Sequence, residues 1–148
     1  MAHIETILLA TDGSPASEPA SEQAIDVATQ LAARLLVVSV LGASSRPSEA
    51  SPEATMADSR DSLTTKAQAI VQRAKAAGAD ATFLVWEGEP GEAIVAAANS
   101  EAADLIVVGS HGRSGVSRFF IGSVSDYVVR HAHCPVMVVR GGIEATRR

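Results

Sequence analysis

Asp104-Leu105-Ile106-Val107-Val108-Gly109-Ser110-His111-Gly112-Arg113-Ser114-Gly115, then Val116 to Ile121, then Gly122-Ser123-Val124-Ser125-Asp126: the reading of the whole chain turns on this stretch. Four apolar residues in a row, 105–108, mark a strand buried on both faces. Glycines follow at 109, 112 and 115, and Arg118-Phe119-Phe120 adds a short basic and aromatic segment. Gly122-Ser123 then opens a second apolar pattern with helical spacing. The order is strand, glycine-rich loop, helix start.

Such a loop suits a phosphate. Without Cβ atoms the backbone can approach a ligand closely, and successive N–H groups can turn inward as an anion-binding concavity. The first amides of the following helix lack partners and carry the positive end of its dipole. Ser110, Ser114 and Ser123 add hydroxyls, and Arg113 adds a fixed positive charge.

Gly109, Gly112, Gly122 and Ser123 together spell G-x2-G-x9-G-S. This resembles the ATP-binding pattern of the universal stress protein family. The resemblance extends to Ala10-Thr11-Asp12-Gly13-Ser14 near the start and to Cys134-Pro135-Val136-Met137-Val138-Val139-Arg140 near the end. It covers nearly the whole chain, residues 1–148, as a single nucleotide-binding domain.

Working outward, Ile7-Leu8-Leu9-Ala10 reads as a first buried strand ending in Thr11-Asp12-Gly13-Ser14-Pro15. Ser14 suits an N-cap and Pro15 a first helical position. Ala20, Ala24, Val27, Ala28 and Leu31 then share one helical face. Residues 35–41 form strand two, and the Ser- and Pro-rich residues 42–53 form a loop. A long helix over about 54–77 carries the stripe Leu63, Ala67, Ile70, Val71 and Ala74, with Gly78 at its left-handed end. Strand three is 82–86. A third helix follows Gly91 with Ile94, Ala97 and Ala98 inward, a fourth runs from Ser123 to about Arg130, and strand five is 136–139.

Strands alternating with helices make an α/β fold: a parallel sheet with right-handed crossovers, covered on both faces. Ligands of such sheets sit beyond the C-terminal strand ends, where strand order reverses. Periodicity leaves strand order open. The resemblance implies a Rossmann-like three-layer sandwich, with a five-stranded parallel sheet of order 3-2-1-4-5 and four helices. Strands one and four are then neighbours, and their loops meet.

The resemblance also implies a site. It comprises Ala10, Thr11, Asp12 and Gly13; Val40 at the end of strand two; Gly109, Ser110, His111, Gly112, Arg113, Ser114 and Gly115; and Gly122, Ser123, Val124 and Ser125. Asp12 alone reads as a turn residue or as a cap shared with Ser14. The resemblance sets it at the ribose and near any metal, as a contact to nucleotide-bound Mg. Val40 reads as a core residue whose backbone would also meet the adenine edge. Ser123 has the spacing of a capping box with Asp126, and a phosphate contact uses similar geometry. His111 has no catalytic role; its backbone N–H matters more. His131 and His133 suit contact with the end of helix four, and Cys134 is structural.

Composition sets outer bounds. With 148 residues, 47% apolar and 20% charged, the chain can bury a sizeable core, and a net charge of −5 argues against a nucleic-acid partner. Lysine occurs only at 66 and 75, and Cys134 is the single cysteine, so no intrachain disulfide forms. No run approaches the ~20 apolar residues of a transmembrane helix, and a cytoplasmic location is expected.

The implied ligand is ATP or AMP with Mg, held by a regulatory stress-response domain. There is no lysine in the loop and no base placed to activate water, so hydrolysis is at most slow. A homodimer through Val136 to Arg140 is implied, since an uncapped edge strand invites pairing. The rivals are a dimeric interaction module of the same fold without nucleotide, and an NAD-linked oxidoreductase. The latter wants G-x-G-x-x-G after strand one, where this chain has Thr11-Asp12-Gly13-Ser14-Pro15-Ala16. A phosphoacceptor domain would want paired acids after strand one and a lysine near the last strand, and neither is present. An adenylyl-transferring enzyme would show a histidine-glycine-histidine or serine-glycine-glycine loop at strand one, and this chain shows neither there.

Overall fold

The computed structural model describes residues 3–42, 52–110 and 122–141. Strand β1 is Thr6–Ala10, followed by a 3-10 turn at Pro15–Ser17 and helix α1 at Glu18–Leu31. Then come β2 (Arg34–Leu41), α2 (Pro52–Ala76), β3 (Ala81–Glu87), α3 (Pro90–Ser100), β4 (Leu105–Gly109), α4 (Ser123–His131) and β5 (Val136–Val139). All pairings are parallel and the order is β3-β2-β1-β4-β5. The expected sheet order and the four helices are both present.

Successive strand side chains point to opposite faces, and both faces of the central strands are covered. Ile7, Leu9, Leu35, Val37, Leu105 and Val107 face α1 and α2, while Leu8, Ala10, Leu36, Val38, Ile106 and Val108 face α3 and α4. This is why β1, β2 and β4 read as unbroken apolar runs rather than as alternation. Removing one such side chain from water contributes about 1.5–3 kcal/mol. In β5, at the sheet edge, all four residues are only half-buried.

The apolar stripe of α2 is buried as expected. Gly78, at φ 100°, ends that helix region, with the Ala79 amide donating to Ala74 O across 2.9 Å. The Arg60 guanidinium pairs with Glu87 at the end of β3, and Arg73 pairs with Glu18 at the start of α1. Between α3 and α4 the approach is close. A Cβ on Gly91 would stand 2.8 Å from Cγ and Cδ1 of Tyr127.

Two local expectations are corrected. Leu31 is 47% exposed. It is the last residue of α1, and Ala32 turns left-handed at once (φ 54°), carrying the chain to β2 before Leu31 can reach the core. Ser14 precedes the 3-10 turn but makes no side-chain cap. The Ser17 amide, which a cap would bind, donates instead to the Ser14 carbonyl at 3.0 Å.

At the N-terminal end of the sheet, Asp104 Oδ2 accepts the amides of Glu5 (2.9 Å) and Thr6 (3.0 Å). These bonds, Glu5 first, hold its carboxyl below the usual value, with a smaller contribution from His3 against a slight opposing effect of burial. Burial, and secondarily Asp104, push the Cys134 thiol up. Cys134 packs against the α3/α4 side of the core. Among the described residues no helix is long and apolar enough to cross a membrane.

Candidate functional site

Because β1 lies between β2 and β4, three chain segments meet beyond the C-terminal strand ends. They are the turn after β1, the end of β2, and the end of β4 with the start of α4.

The β1 turn is tied inward. The Thr11 amide donates to Val38 O (3.0 Å), and Ser39 Oγ donates to Thr11 O (2.9 Å), anchoring the turn to β2. Thr11 Oγ1 accepts the Gly13 amide (3.0 Å) and shares a hydrogen with Ser17 Oγ (2.9 Å). Thr11 and Ala10 are buried, so they present backbone rather than side chain to a ligand. Asp12 Oδ1 accepts the Ser14 amide at 2.9 Å, an Asx turn. The turn role foreseen for Asp12 is therefore filled by one oxygen, and Oδ2 has no protein hydrogen bond among the described residues. Gly13 takes φ 75°, a left-handed conformation that suits glycine. Val40, the next-to-last residue of β2, is partly buried and packs against the α3/α4 side of the core.

On the β4 side, the Ser110 amide donates to Val139 O (2.9 Å), so the strand pairing with β5 continues one residue past Gly109. The Ser110 carbonyl accepts the Gly122 amide at 2.6 Å. The two ends of the glycine-rich segment are thereby joined at the mouth of α4. His111, Gly112, Arg113, Ser114 and Gly115 lie outside the described residues.

The start of α4 differs from the capping-box expectation. The N-cap is Gly122, with φ −63° and ψ 162° and no side-chain cap bond; Ser123 is the first helical residue and is exposed. The Asp126 amide closes the first turn on Gly122 O (2.9 Å), and Ser125 Oγ donates to the same carbonyl (3.1 Å). Asp126 Oδ2 in turn receives Arg130 Nε at 3.0 Å. Asp126 therefore does not reach back over the cap. The amides of Ser123, Val124 and Ser125 have no partner within the helix, and the Ser123 hydroxyl has none among the described residues.

Two features were not legible beforehand. Ser14 Oγ is buried without a hydrogen-bond partner, the one such side-chain atom among the described residues. Lys66 of α2 lies across Gly13: a Cβ there would stand 2.5 Å from Lys66 Cδ. Local pattern carries no signal for a contact between residues so distant in sequence. At the far end of α4, His131 Nδ1 donates to Tyr127 O (2.9 Å), the helix-end contact expected, while His133 turns to Asn99 Oδ1 (3.2 Å).

Fold and site together define a doubly wound α/β domain in which the ends of the neighbouring strands β1 and β4 and the start of α4 lie at the C-terminal side of the sheet. The chain belongs to the universal stress protein family, whose family model matches residues 3–140. A universal stress protein of Methanocaldococcus jannaschii is 33% identical over 137 residues, 90% of this chain and 81% of that one. The structure of universal stress protein UspA from Lactobacillus plantarum superposes with a TM-score of 0.77 at 26% identity, covering 95% of this chain and 100% of the other. A universal stress protein solved in complex with cAMP gives a TM-score of 0.72 at 28% identity, covering 94% and 98%.

Proposed function

We propose that this chain is a regulatory, stress-response domain that binds an adenine nucleotide, ATP or AMP, above β1 and β4. The observation that carries this reading is the Gly122 amide on the Ser110 carbonyl. It brings the first-turn amides of α4 to the end of β4, opposite the β1 turn and Asp12. Phosphate oxygens would take the amides of Ser123, Val124 and Ser125 and the Ser123 hydroxyl, with Gly109 to Gly115 completing the cradle. The free Asp12 oxygen would accept ribose hydroxyls or contact Mg that the phosphates already hold. The Val40 backbone would meet the adenine edge. The likeness to a relative solved with cAMP supports an adenine ligand.

In this reading the chain is one domain over 1–148, cytoplasmic, dimeric through Val136 to Arg140, and hydrolyses ATP slowly at most. Calorimetry with ATP, AMP and NAD tests it. Binding of ATP or AMP that strengthens with Mg for ATP is the expected result. Absence of binding at millimolar nucleotide overturns it in favour of an interaction module, and tighter NAD binding favours an oxidoreductase.

A further inference from the structure

Gly13 and Lys66 belong to different elements, the β1 turn and α2, yet they are in intimate contact. A Cβ built on Gly13 would lie 2.5 Å from Lys66 Cδ, 3.0 Å from its Cβ and 3.3 Å from its Cγ. A side chain at position 13 would displace this stem. The stem runs along the turn with three of its carbons against it, and the ammonium sits two bonds beyond the closest one. Long basic side chains pack their methylenes this way while the charged head stays in water.

Position and charge give the contact a consequence. The turn bears Asp12, whose Oδ2 has no hydrogen bond among the described residues, and it follows β1, the neighbour of β4, whose next residue Ser110 accepts the Gly122 amide at the start of α4. Of the other described cations of α2, Arg60 pairs with Glu87 and Arg73 with Glu18, while Lys75, in the last turn, makes no ion pair with a described residue. Those two pairs pin the helix to β3 and α1 on either side of Lys66. Lys66 itself makes no ion pair with a described residue. The helix thus carries Lys66, without an ion pair among the described residues, against the turn that bears Asp12, in a chain of net charge −5. Asp12 repels an anionic ligand, and a cation on the same turn would offset that repulsion and add to the amides of α4.

We propose that Lys66 is a ligand-contacting residue of this site, pairing with the anionic part of the bound nucleotide and favouring phosphorylated ligands over the nucleoside. The inference rests on the adenine-nucleotide reading above. It also adds to the left-handed φ of Gly13 a second consequence of a side chain there, displacement of the lysine stem from the turn.

Calorimetry on the full chain with ATP, AMP and adenosine as probes tests it, using Lys66→Met, which keeps the stem and removes the charge. The expected result is a loss of about tenfold or more for ATP, as for one charge-assisted hydrogen bond, with adenosine affinity and melting temperature unchanged. Lys66→Arg should retain most of the ATP affinity, and raised salt should weaken the wild type more than Lys66→Met. If the wild type binds ATP and Lys66→Met binds it equally well, the proposal is overturned while the nucleotide site stands. Equal losses for ATP and adenosine overturn it in favour of a packing role. If the wild type binds none of the three, the nucleotide reading itself fails.

Discussion

The amide of Gly122 and the carbonyl of Ser110 are hydrogen-bonded across 2.6 Å, so the glycine-rich segment leaves β4 and enters α4 at one point. Gly122 is the N-cap with a negative φ of −63°. A side chain at 122 is therefore not strained by backbone conformation, as it would be were φ positive. In the proposed site it would stand where a phosphate would approach the amides of Ser123 and Val124. Gly122→Glu adds a carboxylate that both blocks and repels phosphate. The expected outcome is loss of ATP binding by calorimetry with an unchanged melting temperature. ATP binding at wild-type strength would place the phosphates elsewhere.

Ser123→Ala separates two roles that sequence alone left overlapping. Because Gly122 caps α4 and the Ser123 hydroxyl is exposed, stability without ligand should change by less than about 0.5 kcal/mol. Affinity for ATP should fall by roughly 0.5–1.5 kcal/mol, one hydroxyl bond, or somewhat more to a charged oxygen. A drop in the melting temperature of the free protein would restore the capping role.

The core can be tested at Leu8, which is fully buried between β2 and β4 on the α3/α4 side. Leu8→Ala should cost about 2–5 kcal/mol in urea unfolding, transfer and cavity together. A cost below 1 kcal/mol, on the order of a surface change, would mean that the strand is not packed on both faces.

How much of this was legible follows from which forces are local. The runs 7–10, 35–41 and 105–108 announce doubly covered strands because burial acts on all of their residues but Val40. The stripe of α2 is equally plain from its spacing. Sheet order is different: periodicity says nothing of which strand lies beside which, and the family pattern supplied it. Leu31 fits the apolar spacing of α1 yet points to solvent, because helix length, not pattern, decides whether the last turn reaches the core. Gly122 in place of Ser123 as N-cap is a one-residue matter of backbone dihedrals. The Lys66–Gly13 contact depends on how α2 is set against the β1 turn, which no window of sequence contains.

Asp104 gives a pH dependence of known sign. Its folded-state carboxyl is held below the usual 3.8 by the Glu5 and Thr6 amides. A lowered folded value means the contribution is fully present above the ordinary carboxylate pKa and is lost as pH falls through the lowered one. Urea midpoints should therefore drop below about pH 4 by less in Asp104→Asn, whose amide oxygen still accepts, than in the wild type. Asp104→Ala should be less stable than both at neutral pH. Identical acid slopes in wild type and Asp104→Asn would remove this carboxylate from the account.

The dimer proposal is tested at Val138, half-buried in the edge strand β5. Lysine there would set a charge on the strand proposed to pair with a second copy. Light scattering should report half the wild-type mass for Val138→Lys. A folded variant that keeps the wild-type mass would exclude this edge as the interface.

Ser14 offers the sharpest contrast between pattern and structure. A serine before proline at a helix entrance reads as an N-cap, and removing such a cap costs about 0.5–2 kcal/mol. In the folded chain the capping position is already occupied. The Ser17 amide and Ser17 Oγ both donate to the Ser14 carbonyl, at 3.0 and 2.8 Å, and the Ser14 amide donates to Asp12. That leaves Ser14 Oγ buried with no partner among the described residues. A buried hydroxyl without a hydrogen bond is unfavourable, by about 1–3 kcal/mol for a group left fully unsatisfied. Ser14→Ala removes that oxygen and keeps the turn's backbone bonds. The expected outcome in urea unfolding is a stability equal to wild type or higher by up to about 1 kcal/mol. A loss on the scale of a helix cap would mean that the hydroxyl finds a partner in solution, and Ser14 would then be a structural anchor of the turn that carries Asp12.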